Sequence, residues 1–357
     1  MKENLTVEQI REVLKNVKAP AARASIIELN QVVKVEVRES SVVVDISLKE
    51  HSSLVEKSLK FQIEKAIAEL SSDAQVAVNF SHPQEHETAK PQNRIGSIIA
   101  VGSGKGGVGK SAVTVNLAVA LQRAGHRVGI LDCDIYGPSI PTMLGVADQK
   151  PMMLNGRIQP IQAFDLKVMS AGFFVEPGQG LIWRGPMIHK LIQQFIQDVD
   201  WDGTDVLLVD LPPGTGDAPL SLSQTIPLTG AVMVSMPQKI SLIDVHKGAS
   251  MFNQVKVPIL GVIENMSHYV CPSCSHDEEI FDRGGVEKFC KEQGLAYLGD
   301  IPIDSRIRKL SDEGRPYLQD NLDSPAGKAF VTISKRLAPF IRTAEDVEEL
   351  DAIKVSI

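Results

Sequence analysis

A glycine-rich segment, GSGKGGVGKS at residues 102–111, constrains the fold of this chain more than any other feature of its sequence. A short apolar run precedes the segment, and a helical pattern that ends near Gly125 follows it. Backbone N–H groups and a helix N-terminus surround phosphates in the motif G-x-x-x-x-G-K-S/T, which is satisfied by Gly104, Gly109, Lys110 and Ser111. The order of strand, glycine loop and helix predicts a nucleotide site, against the alternatives of a glycine-rich turn without a ligand or a dinucleotide fingerprint.

Two lysines fall within this phosphate loop. Lys110 is expected to neutralise the β- and γ-phosphates of ATP, and the hydroxyl of Ser111 to bind Mg²⁺. Lys105 is a second cation that a plain phosphate loop does not need. Spacing alone does not decide whether it faces the phosphates bound by its own chain or those bound by a neighbouring chain. The loop residues predicted to bind ATP are Gly104, Lys105, Gly106, Gly107, Val108, Gly109, Lys110, Ser111 and Ala112.

Short, nearly continuous apolar runs alternate with helical patterns from Ile95 onward, and such runs indicate strands buried on both faces of a parallel sheet. Seven strands are predicted: SIIAVGS, RVGILDCD, LKVMSAG, DVLLVDLPP, AVMVSMP, ILGVIENM and AYLGDIP. The pattern predicts an α/β domain over residues 95–343, with a mostly parallel sheet, flanking helices and a last long helix at 326–341. Ligands of such sheets gather at the carboxyl ends of the strands.

The residues outside this region suggest three further segments. Residues 1–82 predict a small α+β unit, with helices at 7–17 and 54–70 and strands at 32–38, 41–48 and 75–80. Residues 83–94 are polar and contain two prolines, which is typical of a linker. Residues 344–357 form an acidic tail.

Two of the predicted strands end in aspartate. An apolar strand that ends in Asp after a phosphate loop holds Mg²⁺ or its waters, and we assign this role to Asp210. Asp132 and Asp134 lie two positions apart, so they point the same way if the strand continues; either would serve Mg²⁺ while the other orients the attacking water. The alternative is that one of them only caps a turn. Cys133 should face the opposite way and pack inside the domain.

A cysteine pair follows the sixth predicted strand, in the polar sequence YVCPSCSHDEE. Cys271 and Cys274 are two ligands of a metal site that ordinarily has four, so the others must come from His268, His276, Cys290 or a second copy of the chain. A thioredoxin-like redox pair and inert packing are the alternatives. The sequence does not distinguish zinc from iron.

Composition and charge limit the partners. The formal net charge of −7 and the pI near 5.7 give no general attraction to nucleic acid or anionic membranes. The N-terminal sequence has no apolar signal region, and no apolar run reaches the roughly 18 residues of a membrane span. We therefore expect a cytoplasmic protein that binds neither nucleic acid nor membrane.

The sequence KGGVGKS resembles the deviant phosphate loop of nitrogenase iron protein, arsenite-pump ATPases and the MinD and ParA positioning ATPases. In that family the extra lysine reaches across a two-fold dimer to the partner's ATP, which implies that Lys105 is catalytic in trans. The resemblance also implies that Asp134 activates water, leaving Asp132 for Mg²⁺. Asn265 and Pro302, near the ends of the last two predicted strands, correspond to residues that contact adenine.

Four motifs in order, KGGVGKS, DCDIYGPSIP, VDLPPGTGD and ENMSHYVCPSC, resemble the Mrp-type iron–sulfur cluster carrier ATPases over residues 95–343. This resemblance implies a homodimer that holds a bridging 4Fe-4S cluster on Cys271 and Cys274 of both copies, although zinc is possible as isolated. It also implies that ATP governs cluster assembly or transfer, with apo iron–sulfur proteins and cluster-assembly scaffolds as partners.

Residues 1–82 resemble the small iron–sulfur assembly domain often fused ahead of such carriers. Members commonly have an Asp-Pro pair after the first helix and a cysteine before the second, whereas this chain has VKAPAARAS and KEHSSLVEK. Since its first cysteine is Cys133, this unit cannot bind a cluster through a thiolate, and a docking or regulatory role is expected.

Two other functions are alternatives to a cluster carrier. A MinD- or ParA-like positioning ATPase should end in a basic amphipathic helix or carry a basic stripe, which the acidic tail and negative charge do not favour. A reductase like nitrogenase iron protein uses two separated single cysteines in place of the CxxC found here.

Overall fold

The structure is a computed structural model that describes residues 5–18, 25–29, 31–38, 41–48, 53–71, 74–81, 93–174, 185–271, 273–274 and 276–347. The chain divides into two compact units, Met1–Lys90 and Pro91–Ile357. Most of the predicted linker and most of the acidic tail lie outside the described residues.

The first unit is a small α+β fold. Its elements are α1 (Val7–Leu14), β1 (Val32–Arg38), β2 (Ser41–Ser47), α2 (Ser53–Ala68) and β3 (Gln75–Ser81). Strand β2 lies in the middle, antiparallel to β1 and parallel to β3. Alternate residues of β2 are buried under the two helices' apolar side chains, in a core that includes Leu14, Val44 and Ile63. The period-two pattern of β2 therefore gives this unit a single buried sheet face.

The second unit contains the remaining elements. Its strands are β4 (Ile95–Ser103), β5 (Val128–Asp132), β6 (Met152–Leu154), β7 (Arg157–Gln159), β8 (Ile161–Ala163), β9 (Leu166–Ser170), β10 (Thr204–Asp210), β11 (Gly230–Ser235), β12 (Ile259–Val270), β13 (Asp277–Glu278) and β14 (Tyr297–Ile303). Its α-helices are α3 (Lys110–Arg123), α4 (Ile140–Met143), α5 (Gly185–Gln197), α6 (Asp217–Thr225), α7 (Lys239–Gln254), α8 (Gly285–Gln293), α9 (Ser305–Asp312) and α10 (Pro325–Leu337).

A mostly parallel sheet forms the centre of this unit. Among the described residues it has nine strands, in the order β13-β12-β11-β4-β10-β5-β9-β8, with β14 paired to β12. Strands β8 and β13 are antiparallel to their neighbours, and the other pairs are parallel. Strand β4, which leads into the glycine loop, lies between β10 and β11, so the loop emerges at the middle of the sheet's carboxyl edge.

Helices cover this sheet. Helix α3 packs on β4, β5 and β10, while α7 packs on β4 and β11. Because α3 is apolar around most of its circumference, its residues from Val113 to Leu121 are all buried. Strand β10 is buried along its whole length. The predicted α/β architecture with flanking helices is confirmed.

All seven predicted strands are present, and each has at least one end that differs from the prediction by one to four residues. Two of these differences have a visible cause. Strand β5 stops at Asp132, two residues before its predicted end, because the N–H of Asp134 bonds the Asp132 side chain and the chain turns. Strand β12 continues four residues past Met266, because its last residues pair with β13. The short strands β6, β7, β8 and β13 were not predicted.

Candidate nucleotide site and cysteine hairpin

The glycine loop joins the end of β4 at Ser103 to the start of α3 at Lys110. Gly107 and Gly109 have φ angles of 82° and 81°, a left-handed conformation that glycine adopts without a steric penalty. Gly109 is the N-cap of α3 and has no side chain to bond the first N–H groups of the helix. The loop therefore presents backbone donors at a helix N-terminus, as phosphate binding requires.

Close contacts fix two of the loop glycines. A Cβ atom on Gly104 would lie 2.3 Å from the Cβ of Asp244 on α7. A Cβ atom on Gly109 would lie 2.4 Å from Nδ2 of Asn265 on β12. A side chain at either position would displace the loop, so glycine is required there by packing as well as by phosphate access.

The carboxylate of Asp210, fully buried at the end of β10, is the centre of a polar network. Nζ of Lys110 and Oγ of Ser111 lie 2.5 and 2.7 Å from its Oδ2, and the hydroxyl of Thr114 donates to its Oδ1 at 2.6 Å. The structure thus brings together Lys110, Ser111 and Asp210. Thr114 was missed by the sequence analysis, although it lies one helical turn after Lys110 on the same face of α3.

This network fits a magnesium ion. A serine hydroxyl and a carboxylate oxygen, the ligand types that Mg²⁺ prefers, lie within hydrogen-bond distance of each other in Ser111 and Asp210. Both stand at the loop where the phosphates are expected. The predicted assignment of these two residues to Mg²⁺ is thus chemically consistent with their placement.

Asp132 and Asp134 occupy different environments. Asp132 is 1% exposed, and its carboxylate accepts the N–H groups of Asp134 and Ile140 and the hydroxyl of Ser170. Burial, together with the charge of Asp210, raises the pKa of Asp132 to about 7. Asp134 lies beyond the end of the strand and is half-buried, and burial raises its pKa. Asp132 therefore holds the turn, while Asp134 lines the cavity over the loop. The assignment of Asp132 to Mg²⁺ stays a prediction.

A cavity of about 210 Å³ lies over the glycine loop. Its lining comes from the loop, the turn after β5 and the segment after β10: Ser103, Lys105, Gly106, Gly107, Val108, Gly109, Lys110, Ser111, Ala112, Asp134, Ser139, Met143 and Pro213. Lys105 and Asp134, both predicted to be catalytic, thus share one cavity with Lys110. Ser139, Met143 and Pro213 were not predicted as site residues.

The two residues predicted to contact adenine do not line this cavity. Asn265 is 7% exposed and lies under the loop, where its Nδ2 donates to the carbonyl of Val108 at 2.8 Å. Pro302 lines two other cavities, one of about 320 Å³ and one of about 410 Å³ that also includes Cys271. Their contacts with adenine stay predictions.

The cysteine pair lies in the turn of a β-hairpin. Strands β12 and β13 pair through Tyr269 and Val270, and the N–H of Cys271 then donates to the carbonyl of His276 at 2.9 Å. Hydrogen bonds to Cys271 from the N–H groups of Ser273 and Cys274, and from the Cys274 thiol, lower the pKa of Cys271. The two sulfurs therefore converge, and Cys274 is exposed.

Other candidate ligands in the chain do not join this pair. His268 is buried and bonds Ser267, and Cys290 is buried on α8, where burial raises its pKa to about 11. His276 contributes its backbone carbonyl to the hairpin. Within the described ranges, no group of three or more His, Cys, Asp or Glu side chains could hold a metal ion.

A glycine loop at the centre of a parallel sheet, with a buried lysine and a strand-end aspartate, defines a P-loop nucleoside triphosphatase fold. A family model described as NUBPL iron-transfer P-loop NTPase matches residues 94–338. The chain belongs to this family. A second model, described as iron-sulfur cluster assembly protein, matches residues 7–80 in the first unit.

Curated relatives agree with this assignment. The chain is 40% identical to an iron-sulfur cluster carrier protein of Haemophilus influenzae, over 94% of this chain and 93% of the relative. It is 41% identical to the iron-sulfur cluster transfer protein NUBPL of Dictyostelium discoideum, over 82% and 91% respectively. These relatives match both units of the chain, so the similarity is not limited to the P-loop.

Solved structures share the fold of the second unit. A nucleotide-binding protein from Archaeoglobus fulgidus in complex with ADP is 41% identical, with a TM-score of 0.57 over 62% of this chain and 88% of that one. The cell division ATPase MinD of Pyrococcus furiosus is 24% identical, with a TM-score of 0.53 over 68% of this chain and 99% of that one, and shows the fold alone.

None of the helices in the described residues is long and apolar enough to cross a membrane.

Proposed function

We propose that this protein is an ATP-dependent iron–sulfur cluster carrier. Two copies form a homodimer that holds a 4Fe-4S cluster between them, hydrolyses ATP and passes the cluster to apo-proteins. The names of the carrier and transfer relatives support the cargo, and the ADP bound to the Archaeoglobus fulgidus protein supports the nucleotide. The MinD-like structures support only the fold.

The cysteine hairpin is the observation that carries this proposal. Cys271 and Cys274 place two sulfurs together at the end of a sheet strand, and the lowered pKa of Cys271 favours the thiolate that binds iron. Since a 4Fe-4S cluster ordinarily takes four ligands and the described residues offer no third, a second hairpin related by two-fold symmetry supplies the missing pair.

The glycine loop supplies the nucleotide chemistry. Lys110 neutralises the β- and γ-phosphates, and Ser111 and Asp210 hold Mg²⁺, which when bound screens the charge that develops on the transferred phosphoryl group. Asp134 orients the attacking water and accepts its proton. Lys105 acts on the ATP of the partner subunit, which makes hydrolysis depend on dimerisation.

A matched pair of double variants tests the cluster site. Anaerobic reconstitution with ferrous iron and sulfide should give the wild type a charge-transfer absorbance at about 400 nm, and Cys271→Ala/Cys274→Ala should lack it. The control Cys133→Ala/Cys290→Ala, which removes the two buried thiols, should keep the absorbance. If Cys271→Ala/Cys274→Ala kept the same charge-transfer absorbance as the control variant, the cysteine pair would not be the cluster ligands.

The second part of the test is transfer. Reconstituted wild-type protein should activate an apo iron–sulfur enzyme, and ATP should change the rate of activation. Protein reconstituted after the Cys271→Ala/Cys274→Ala change should activate it no faster than free iron and sulfide do. Activation by the wild type that stays at the level of free iron and sulfide would contradict a carrier function.

A further inference from the structure

Strand β12 connects the glycine loop to the cysteine hairpin. It touches the loop at Asn265, continues through Val270 and leads directly into Cys271. The six residues from Asn265 to Cys271 span at most about 20 Å at the rise of an extended strand, so one element joins two sites that share no side chain.

The strand is held firmly at its loop end. The side chain of Asn265 donates to the Val108 carbonyl, and its Nδ2 occupies the space beside Gly109 that a Cβ atom would need. The neighbouring residue, Glu264, is fully buried and accepts the N–H groups of Gly284 and Val286 at the start of α8. A movement of the loop backbone at Val108 and Gly109 therefore acts directly on β12.

A strained residue separates this anchor from the hairpin. Met266 has a φ angle of 57°, in the left-handed region that non-glycine residues seldom occupy. The pairing of β12 with β14 changes register between Asn265 and Tyr269, around this residue. Its terminal methyl also lies near the loop, 3.5 Å from where a Cβ on Gly109 would stand. Such strain persists only where the surroundings impose it.

We infer that Asn265 and Met266 form a hinge through which nucleotide in the glycine loop controls the exposure and reactivity of Cys271 and Cys274. A nucleotide whose phosphates bond the loop N–H groups fixes the Val108 carbonyl, and Asn265 transmits that position to β12. Met266 then sets the direction in which the hairpin leaves the strand. Both are positioning residues, and the inference rests on the proposed nucleotide site, because it names the route by which that site reaches the cysteines.

Thiol reactivity in the cluster-free protein tests the hinge. Cys133 and Cys290 are buried, so Ellman's reagent should react mainly with the hairpin thiols, and Cys271→Ala/Cys274→Ala gives the background. Saturating Mg-ADP should change the wild-type reaction rate by about fivefold or more, the lower range of ordinary allosteric coupling. Asn265→Leu, which keeps the number and branching of the side-chain heavy atoms but removes the donor, should reduce this change to less than about twofold at saturating nucleotide.

Met266→Gly is the second variant. This change keeps the Asn265 hydrogen bond but places at the hinge a glycine, for which several backbone conformations are equally accessible. Mg-ADP should therefore bind with near-normal affinity but no longer change the rate of the thiol reaction. The control is Asn116→Leu, which removes a buried amide on α3 that bonds Ala112 and Leu318 and should keep the full rate change. Thermal unfolding confirms that each variant is folded.

The outcomes separate this inference from the proposed function. An equal nucleotide effect in the wild type, Asn265→Leu and Met266→Gly would overturn the hinge. So would a wild type that binds Mg-ADP with no change in thiol reactivity, and neither result would affect cluster binding or transfer. A wild type that does not bind Mg-ADP would instead contradict the P-loop assignment on which the hinge depends.

Discussion

Lys110 and Asp210 form an ion pair that the protein interior almost completely covers. The side chain of Lys110 is 5% exposed and that of Asp210 is 1% exposed, at an Nζ–Oδ2 distance of 2.5 Å. Removing one partner of a buried pair leaves the other charge without compensation, so each residue is necessary for the other. In the proposed function, the phosphates of ATP are a second group of anions for the same lysine.

Replacing Lys110 with alanine should abolish ATP hydrolysis. The loss of a charge that stabilises the transferred phosphoryl group is expected to lower kcat by at least about a hundredfold. Phosphate release is the measurement, and Lys309→Ala, an exposed lysine on α9, is the matched control. An unchanged rate for Lys110→Ala would remove the P-loop assignment.

At the scale of elements, helix α8 takes its N-terminal cap from a neighbouring strand. Its N-cap residue, Gly284, has no side chain, and the carboxylate of Glu264 on β12 accepts the N–H groups of Gly284 and Val286 at 3.0 and 2.8 Å. Burial raises the pKa of Glu264. The folded protein therefore binds this proton more tightly than the unfolded chain does.

Glu264→Gln should change how stability depends on pH. A raised pKa gives stability that is complete below the ordinary value of 4.5 and is lost as pH rises through the raised value. The glutamine variant has no such titration, so the wild type should lose unfolding free energy relative to the variant as pH rises above 4.5. Urea unfolding, followed by fluorescence of the buried Trp201, measures the unfolding free energy of the wild type and of the variant at each pH. A difference between the two free energies that does not change with pH would contradict this account.

The sequence predicts elements well where burial leaves a pattern. The seven long strands of the second unit are recognisable because they are apolar on both faces, and β1 was predicted with its observed ends. Strands β6, β7 and β8 have three residues each, too few for a periodic signal. The contact between Asn265 and Val108 joins residues 157 positions apart, and no local pattern indicates it.

For the molecule as a whole, the proposed function makes Lys105 the residue that relates ATP hydrolysis to dimerisation. It lines the loop cavity with Lys110 and Asp134. Lys105→Ala should lower hydrolysis while ATP binding stays close to that of the wild type, because binding depends mainly on the loop backbone and Lys110. Equilibrium binding and phosphate release, measured on the same preparation, separate the two effects.

Mixing two inactive variants tests whether Lys105 acts in trans. In a dimer of one Lys105→Ala chain and one Lys110→Ala chain, the site on the Lys105→Ala chain has its own Lys110 and the intact Lys105 of the other chain. The site on the Lys110→Ala chain lacks both lysines. Random mixing makes half of the dimers mixed, each with one complete site, so activity should recover to about a quarter of the wild-type rate. Mixtures no more active than either variant alone would place Lys105 on the nucleotide of its own chain.

The order of strands in the sheet also bears on how the protein is made. Strand β4 pairs with β10 and β11, which follow it by more than a hundred residues, and the loop then rests on Asn265 of β12. During synthesis the first unit has all its pairing partners within its own ninety residues and can fold as soon as it leaves the ribosome. The contact of Asn265 with the loop forms only after β12 has emerged, so a nascent chain completes the candidate nucleotide site only when the cysteine hairpin is about to follow.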